Sequence, residues 1–192
     1  MLGQARTSAM MKVCQDGAVT SGIPGPAREF VRATVAAVDL AADGSDPEAY
    51  DSAIARLAAH PDGGRVLGDL LRALLEDTHP EGFDSDDVAV VTGRCYAAAV
   101  AWLPPGRVDV STLLVVLAGA LGIHPYVDAE QSRDQSLDRD DSREATAPTW
   151  PEHAWHAPLL IADLLPHAPG TLDAYLAAVF AEYAREAREE QP

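Results

Sequence analysis

The stretch GGRVLGDLLRALLEDT, residues 63–78, decides the fold class. Val66, Leu67, Leu70, Leu71, Leu74 and Leu75 recur at intervals that place all six on one side of an α-helix and nowhere coherent on a strand. Asp62-Gly63-Gly64 reads as a turn before this helix. His79-Pro80 and Gly82 mark a loop over 78–83 after it.

Working toward the N-terminus, Ser45-Asp46-Pro47-Glu48 is a helix start. A polar cap precedes a proline in the first turn, and an acid comes next, near the positive end of the helix dipole. Tyr50, Ala53, Ile54 and Leu57 give that helix its inner face, and His60-Pro61 stops it. An earlier helix is expected over 27–42, with Phe30, Thr34, Val35, Val38 and Ala41 inward and Asp43-Gly44 at its end. Residues 1–23 are polar and aperiodic and read as a flexible tail, within which Met10 and Met11 are alternative starts to Met1. This tail has no apolar run of the kind a secretory signal needs.

Toward the C-terminus, Ser85-Asp86-Asp87 is expected to cap a helix reaching Trp102 or Leu103. Val88, Val91, Cys95 and Trp102 lie on one side of it. Gly93, Ala97 and Ala101 make a flat groove for a neighbouring helix. After Pro104-Pro105-Gly106, Asp109 or Ser111 caps a helix over 112–122 that is apolar all round and is therefore expected at the centre of the bundle. Residues 126–149 hold seven acids and three arginines and only Leu137 as a large aliphatic after Val127. Such a segment buries too little to offset the entropy of ordering. Thr149-Trp150-Pro151-Glu152 resembles a capping box. Pro158 is expected to interrupt or kink the chain beyond that start. Leu172, Tyr175, Leu176, Val179, Phe180 and Tyr183 line a last helix. No stretch alternates with period two for a useful length.

The sequence thus predicts an all-α fold, a single compact bundle of about six to eight antiparallel helices with a long acidic loop. Residues 1–23 form the tail, and 24–190 the domain, interrupted by a mobile acidic insert at about 127–148. The net charge of −16 and pI near 4.5 weigh against general nucleic-acid binding, which needs cations to displace counterions from phosphate, and against an anionic membrane surface. The longest apolar run, 113–123, is too short to span a bilayer, which takes roughly 20 residues. Cys14 and Cys95 read as free thiols, and a cytoplasmic location is expected.

No nucleotide-binding loop and no nucleophile–base pattern occurs. Arg94 interrupts an apolar helix; its stem is expected to pack while its head reaches water. If buried it requires an anion. The metal candidates are His124, His153 and His156, with Glu152 and Asp128, clustered around the insert. Imidazole and carboxylate donors in that number suit zinc or another divalent ion. The simpler reading is that His60, His79 and His124, each followed by proline, finish helix ends, and that His153 and His156 belong to the packing beside Trp150 and Trp155. The leading expectation is a non-enzymatic protein-interaction or regulatory protein without a cofactor, binding a basic partner through its acidic loop. The alternative is a metal-dependent or small-molecule-binding helical protein using the histidines. Homo-oligomerisation through an exposed alanine-rich helix face is a third reading, for which the last helix is a candidate.

Overall fold

The structure, a computed structural model, describes residues 25–123 and 150–189. Seven α-helices fill it: α1 Gly25–Asp43, α2 Pro47–Ala58, α3 Gly63–Thr78, α4 Ser85–Val100, α5 Val110–Ala120, α6 Trp150–Leu164 and α7 Leu172–Glu189. A 3₁₀ turn, Leu165–His167, comes after α6, and no strand occurs among the described residues. The tail at 1–23 and the insert at 127–148, with His124 and Asp128, lie outside the described residues. So does Thr149 of the expected capping box.

The helices expected from strong amphipathic patterns form as read. All six residues of the α3 stripe are buried, as are Tyr50, Ala53, Ile54 and Leu57 of α2. Asp46 caps α2 by accepting from the Ala49 amide at 2.9 Å. Gly44 ends α1 with φ +62°, and the Trp102 indole packs so closely over it that a Cβ would lie 3.2 Å from the ring. A glycine satisfies both demands.

Four expectations are corrected. The α4 cap is Asp84, one residue before the expected cluster. Its carboxylate accepts from the amides of Asp86 and Asp87, and the Asp87 carboxylate accepts from the Asp84 amide. Gly63 and Gly64 belong to the first turn of α3 rather than to a preceding turn. Pro158 does not end a helix: α6 runs through it, with Pro158 and the residues around it buried. Finally, α5 is not the central helix. That place belongs to α6, which packs against α1, α2, α3, α4 and α5. Ala154, Ala157, Leu160, Ile161 and Leu164 are its innermost residues.

Two hydrogen bonds fix the register of α7 on α3. The Tyr175 hydroxyl donates to Asp77 Oδ2 at 2.5 Å, and the Tyr183 hydroxyl donates to Asp69 Oδ2. The tyrosines and the aspartates are each eight residues apart and pair in opposite order, so the helices run antiparallel. Arg65 stacks on the Tyr183 ring, 4.4 Å from its centroid, and pairs with Glu186. The last-helix stripe is therefore core, with Tyr175, Leu176 and Val179 buried. Among the described residues no helix is long and apolar enough to cross a membrane.

Burial, and after it the hydrogen bond to Asp77 and its charge, pushes the Tyr175 phenol up to about 12; burial, and after it the hydrogen bond to Asp69, raises Tyr183. The folded state therefore favours the neutral phenol. Its contribution is complete below the ordinary tyrosine value of about 10 and is lost as pH rises through the raised one. Melting temperature should accordingly fall between about pH 10 and pH 12. A Tyr175→Phe/Tyr183→Phe double variant should lose less over that window than the parent. An equal loss in both would show that the α3–α7 contacts do not carry it.

Candidate functional site

The histidine candidates do not assemble in the described part of the structure. His153 and His156 both lie on α6, and Glu152 is in its first turn. The His156 ring is buried and its Nε2 accepts the Asp109 amide at 3.1 Å. A nitrogen that accepts an N–H carries no proton, so this contact requires the neutral tautomer protonated at Nδ1. His156 thereby ties α6 to the N-cap of α5. Asp109, held below the usual carboxylate range first by the Thr112 hydroxyl and then by backbone amides, caps that helix. His153 instead lines a groove of about 300 Å³ between α3, α5 and α6, together with Arg65, Gly68, Arg72 and Gly119. Arg72 Nε donates to the Ala120 carbonyl at 2.8 Å, satisfying an end group of α5. Among the described residues no group of three or more His, Cys, Asp or Glu side chains is placed to hold a metal ion.

The remaining chemistry-bearing residues serve the packing. Arg94 makes a bidentate pair with Asp163, 2.7 Å for each bond, while its side chain keeps 41% exposure. Its stem packs and its head reaches both water and a carboxylate. With Asp163 on Arg94 and His156 on Asp109, no base–carboxylate dyad forms between His156 and Asp163. Cys95 is buried beside them, and burial pushes its thiol up to about 12. A thiol so raised is a packing residue rather than a nucleophile.

The most distinctive surface is apolar and lies elsewhere. Val90, Tyr96, Val100, Val110, Leu114 and Ile123 are the exposed large hydrophobics of the described residues; five lie on α4 and α5, and Ile123 follows the end of α5. Val90 and Ile123 keep 60% and 58% exposure. α4 and α5 pack on each other and each packs on α6, and these six side chains stay exposed. Gly93, Ala97 and Ala101, expected to receive a neighbouring helix, lie exposed on α4 and just past its end. No helix of the described chain covers them, and a Cβ at Gly93 would meet nothing within 4 Å. The signal is present in the sequence. From Val88 to Ile123 the charged residues are Arg94, Arg107 and Asp109, in a chain that is 23% charged. A run of apolar residues without polar counterparts suggests burial, although such a run equally describes a surface kept for another molecule.

Comparisons with known protein families, with curated proteins and with solved structures found no match.

Because the His156 Nε2 lone pair is already engaged, chelator should leave the melting temperature unchanged, and the purified chain should carry no stoichiometric zinc. One zinc per chain with a lower melting temperature after chelation would contradict this. Because Gly93 meets no neighbour in an exposed helix interior, Gly93→Ala should stabilise the dilute chain by up to about 1 kcal/mol in denaturant titration. A destabilised variant would mean that the glycine serves packing within the chain.

Proposed function

We propose that this chain is a non-enzymatic interaction protein whose docking surface is the outer face of the α4–α5 hairpin. One observation carries the reading: the exposed large apolar side chains of the described residues gather on that hairpin, while α3 and α7 present charged residues to water. Isolated exposed valines are ordinary on a soluble protein. A set gathered on two adjacent helices and the turn after them, with Arg94 and Arg107 already paired, supports a surface that another molecule covers.

The charge of −16 supports a basic partner for the chain as a whole, through the acidic stretch at 127–148. It does not support one at the hairpin, where Arg94 is neutralised by Asp163 and Arg107 by Asp51. Desolvating valine and leucine, not ion pairing, is what this face offers, at about 25 cal/mol per Å² removed from water.

Site-specific photo-crosslinking in the producing cell tests the reading. A photo-reactive residue installed at Val100 should give protein adducts several-fold above one installed at the exposed Ala177 of α7. The Val100 adducts should disappear when Val90→Glu is added. Equal yields at the two positions would overturn the assignment.

A further inference from the structure

Gly68 lies inside α3 and Gly119 near the end of α5, and both line the groove of about 300 Å³ that these helices form with α6. Glycine is a poor helix former, second only to proline. Within a helix it is in place where another backbone comes too close for a side chain. That reason is missing here: a Cβ at Gly68 or at Gly119 would meet nothing within 4 Å. What the two glycines supply is room in the groove. We propose that this room is a binding site for a small organic carboxylate, its acid group on Arg72 and its apolar body between α3 and α5. The inference goes beyond the interaction reading and does not depend on it.

The charges around the groove select the acid. Besides His153, the ionisable side chains that border it are Arg65, Asp69 and Arg72. Two of these are engaged by α7. Arg65 lies over the Tyr183 ring and pairs with Glu186, and Asp69 accepts the Tyr183 hydroxyl. Arg72 instead donates Nε to the Ala120 carbonyl at 2.8 Å. Among the described residues no carboxylate pairs with its guanidinium, whereas Arg65, Arg94 and Arg107 each hold one. The Nε bond fixes the plane of the guanidinium and leaves its two terminal nitrogens for an acceptor. Two parallel N–H donors match the two oxygens of a carboxylate. One arginine balances one negative charge, so a monoanion fits. A phosphate monoester, with a charge near −2, leaves the excess uncompensated.

The walls select the rest of the molecule. Leu67 and Leu71 of α3, Val115 and Val116 of α5 and Ala157 of α6 make the remainder of the lining apolar. A cavity with apolar walls and one fixed polar group is the usual form of a small-molecule site, and this volume stands at the small end of the range. From Gly64 to Arg72 the groove follows α3 for about 12 Å, the reach of a short-chain acid such as octanoate.

Titration of the full chain with octanoate, followed by amide and arginine side-chain NMR, tests this; octanol and inorganic phosphate serve as the neutral and the purely anionic probe. Octanoate should shift Gly68, Gly119 and the Arg72 Nε–H saturably, with a midpoint below about 1 mM. Octanol should bind at least ten-fold more weakly, and phosphate should leave these signals in place. Arg72→Gln should weaken octanoate at least ten-fold without changing octanol. Gly68→Leu and Gly119→Leu should each fill the groove and abolish binding of both, with the melting temperature of the unliganded chain unchanged or raised. Gly68→Ala, too small to fill it, should raise melting by about 2–4 °C. Absence of saturable shifts, or octanoate binding that survives both leucine variants, would overturn the site. Equal binding of octanoate and octanol, or saturation by phosphate alone, would overturn the carboxylate on Arg72. Lower melting in Gly68→Ala would show that the glycine serves packing and remove the premise.

Discussion

The Tyr50 side chain is completely buried, and its hydroxyl donates to the main-chain carbonyl of Trp155 at 2.7 Å. Burial raises this phenol well above its ordinary value, so it stays neutral, and without that acceptor a buried donor would go unsatisfied. The ring lies edge-on to Trp102 and to Trp155, with centroids 5.4 and 5.3 Å away. Trp155 in turn donates its indole N–H to Asp51 at 2.9 Å, and Arg107 pairs with the same carboxylate while lying over the Trp155 ring. In a chain with few aromatic residues, this cluster links α2, the end of α4, the α4–α5 connection and α6. It holds α6 in the middle of the bundle; α1 to α5 are placed by their contacts with it, and α7 by its contacts with α3.

The position of α6 explains why α4 and α5 keep an uncovered side. Each has one face on α6 and an edge on the other; α5 adds a contact with α3. The faces turned away from α6 have no further layer of chain above them among the described residues. The charges that could have made those faces merely soluble are spent inside the fold: Arg94 binds Asp163 on α6 and Arg107 binds Asp51 on α2. The same ion pairs that brace the hairpin therefore leave the stretch from Val90 to Ile123 without an unpaired arginine. The packing of the hairpin and the apolar character of its exposed side have one cause.

The sequence is legible where a helix has two unlike sides. In α2 and α3 the apolar stripe alternates with charge, so both the helix and its inward face can be read, and each named residue is buried. Legibility fails where that contrast is missing. α5 is apolar in every direction, which reveals a helix but not which side is covered; Leu114 of the expected central helix, and Val110 just before its expected start, are exposed. α6 carries His153, His156 and Pro158, residues that argue for an edge or an interruption, yet it is the core. Its tolerance of His156 depends on the Asp109 amide 47 residues away in sequence, a partner no local pattern reveals. The histidines suggest ligands because they lie close along the chain, but His156 turns to the cap of α5 while His153 lines the groove toward α3. The hairpin face is visible only as an absence of charge, and in sequence such an absence looks the same as burial.

Amide hydrogen exchange, resolved helix by helix at low protein concentration, tests the arrangement most directly. If α6 is the helix on which the others are assembled, its amides should exchange slowest, only through global unfolding, with α4 and α5 opening sooner. Slowest exchange in α5, with α6 opening ahead of it, would contradict the account.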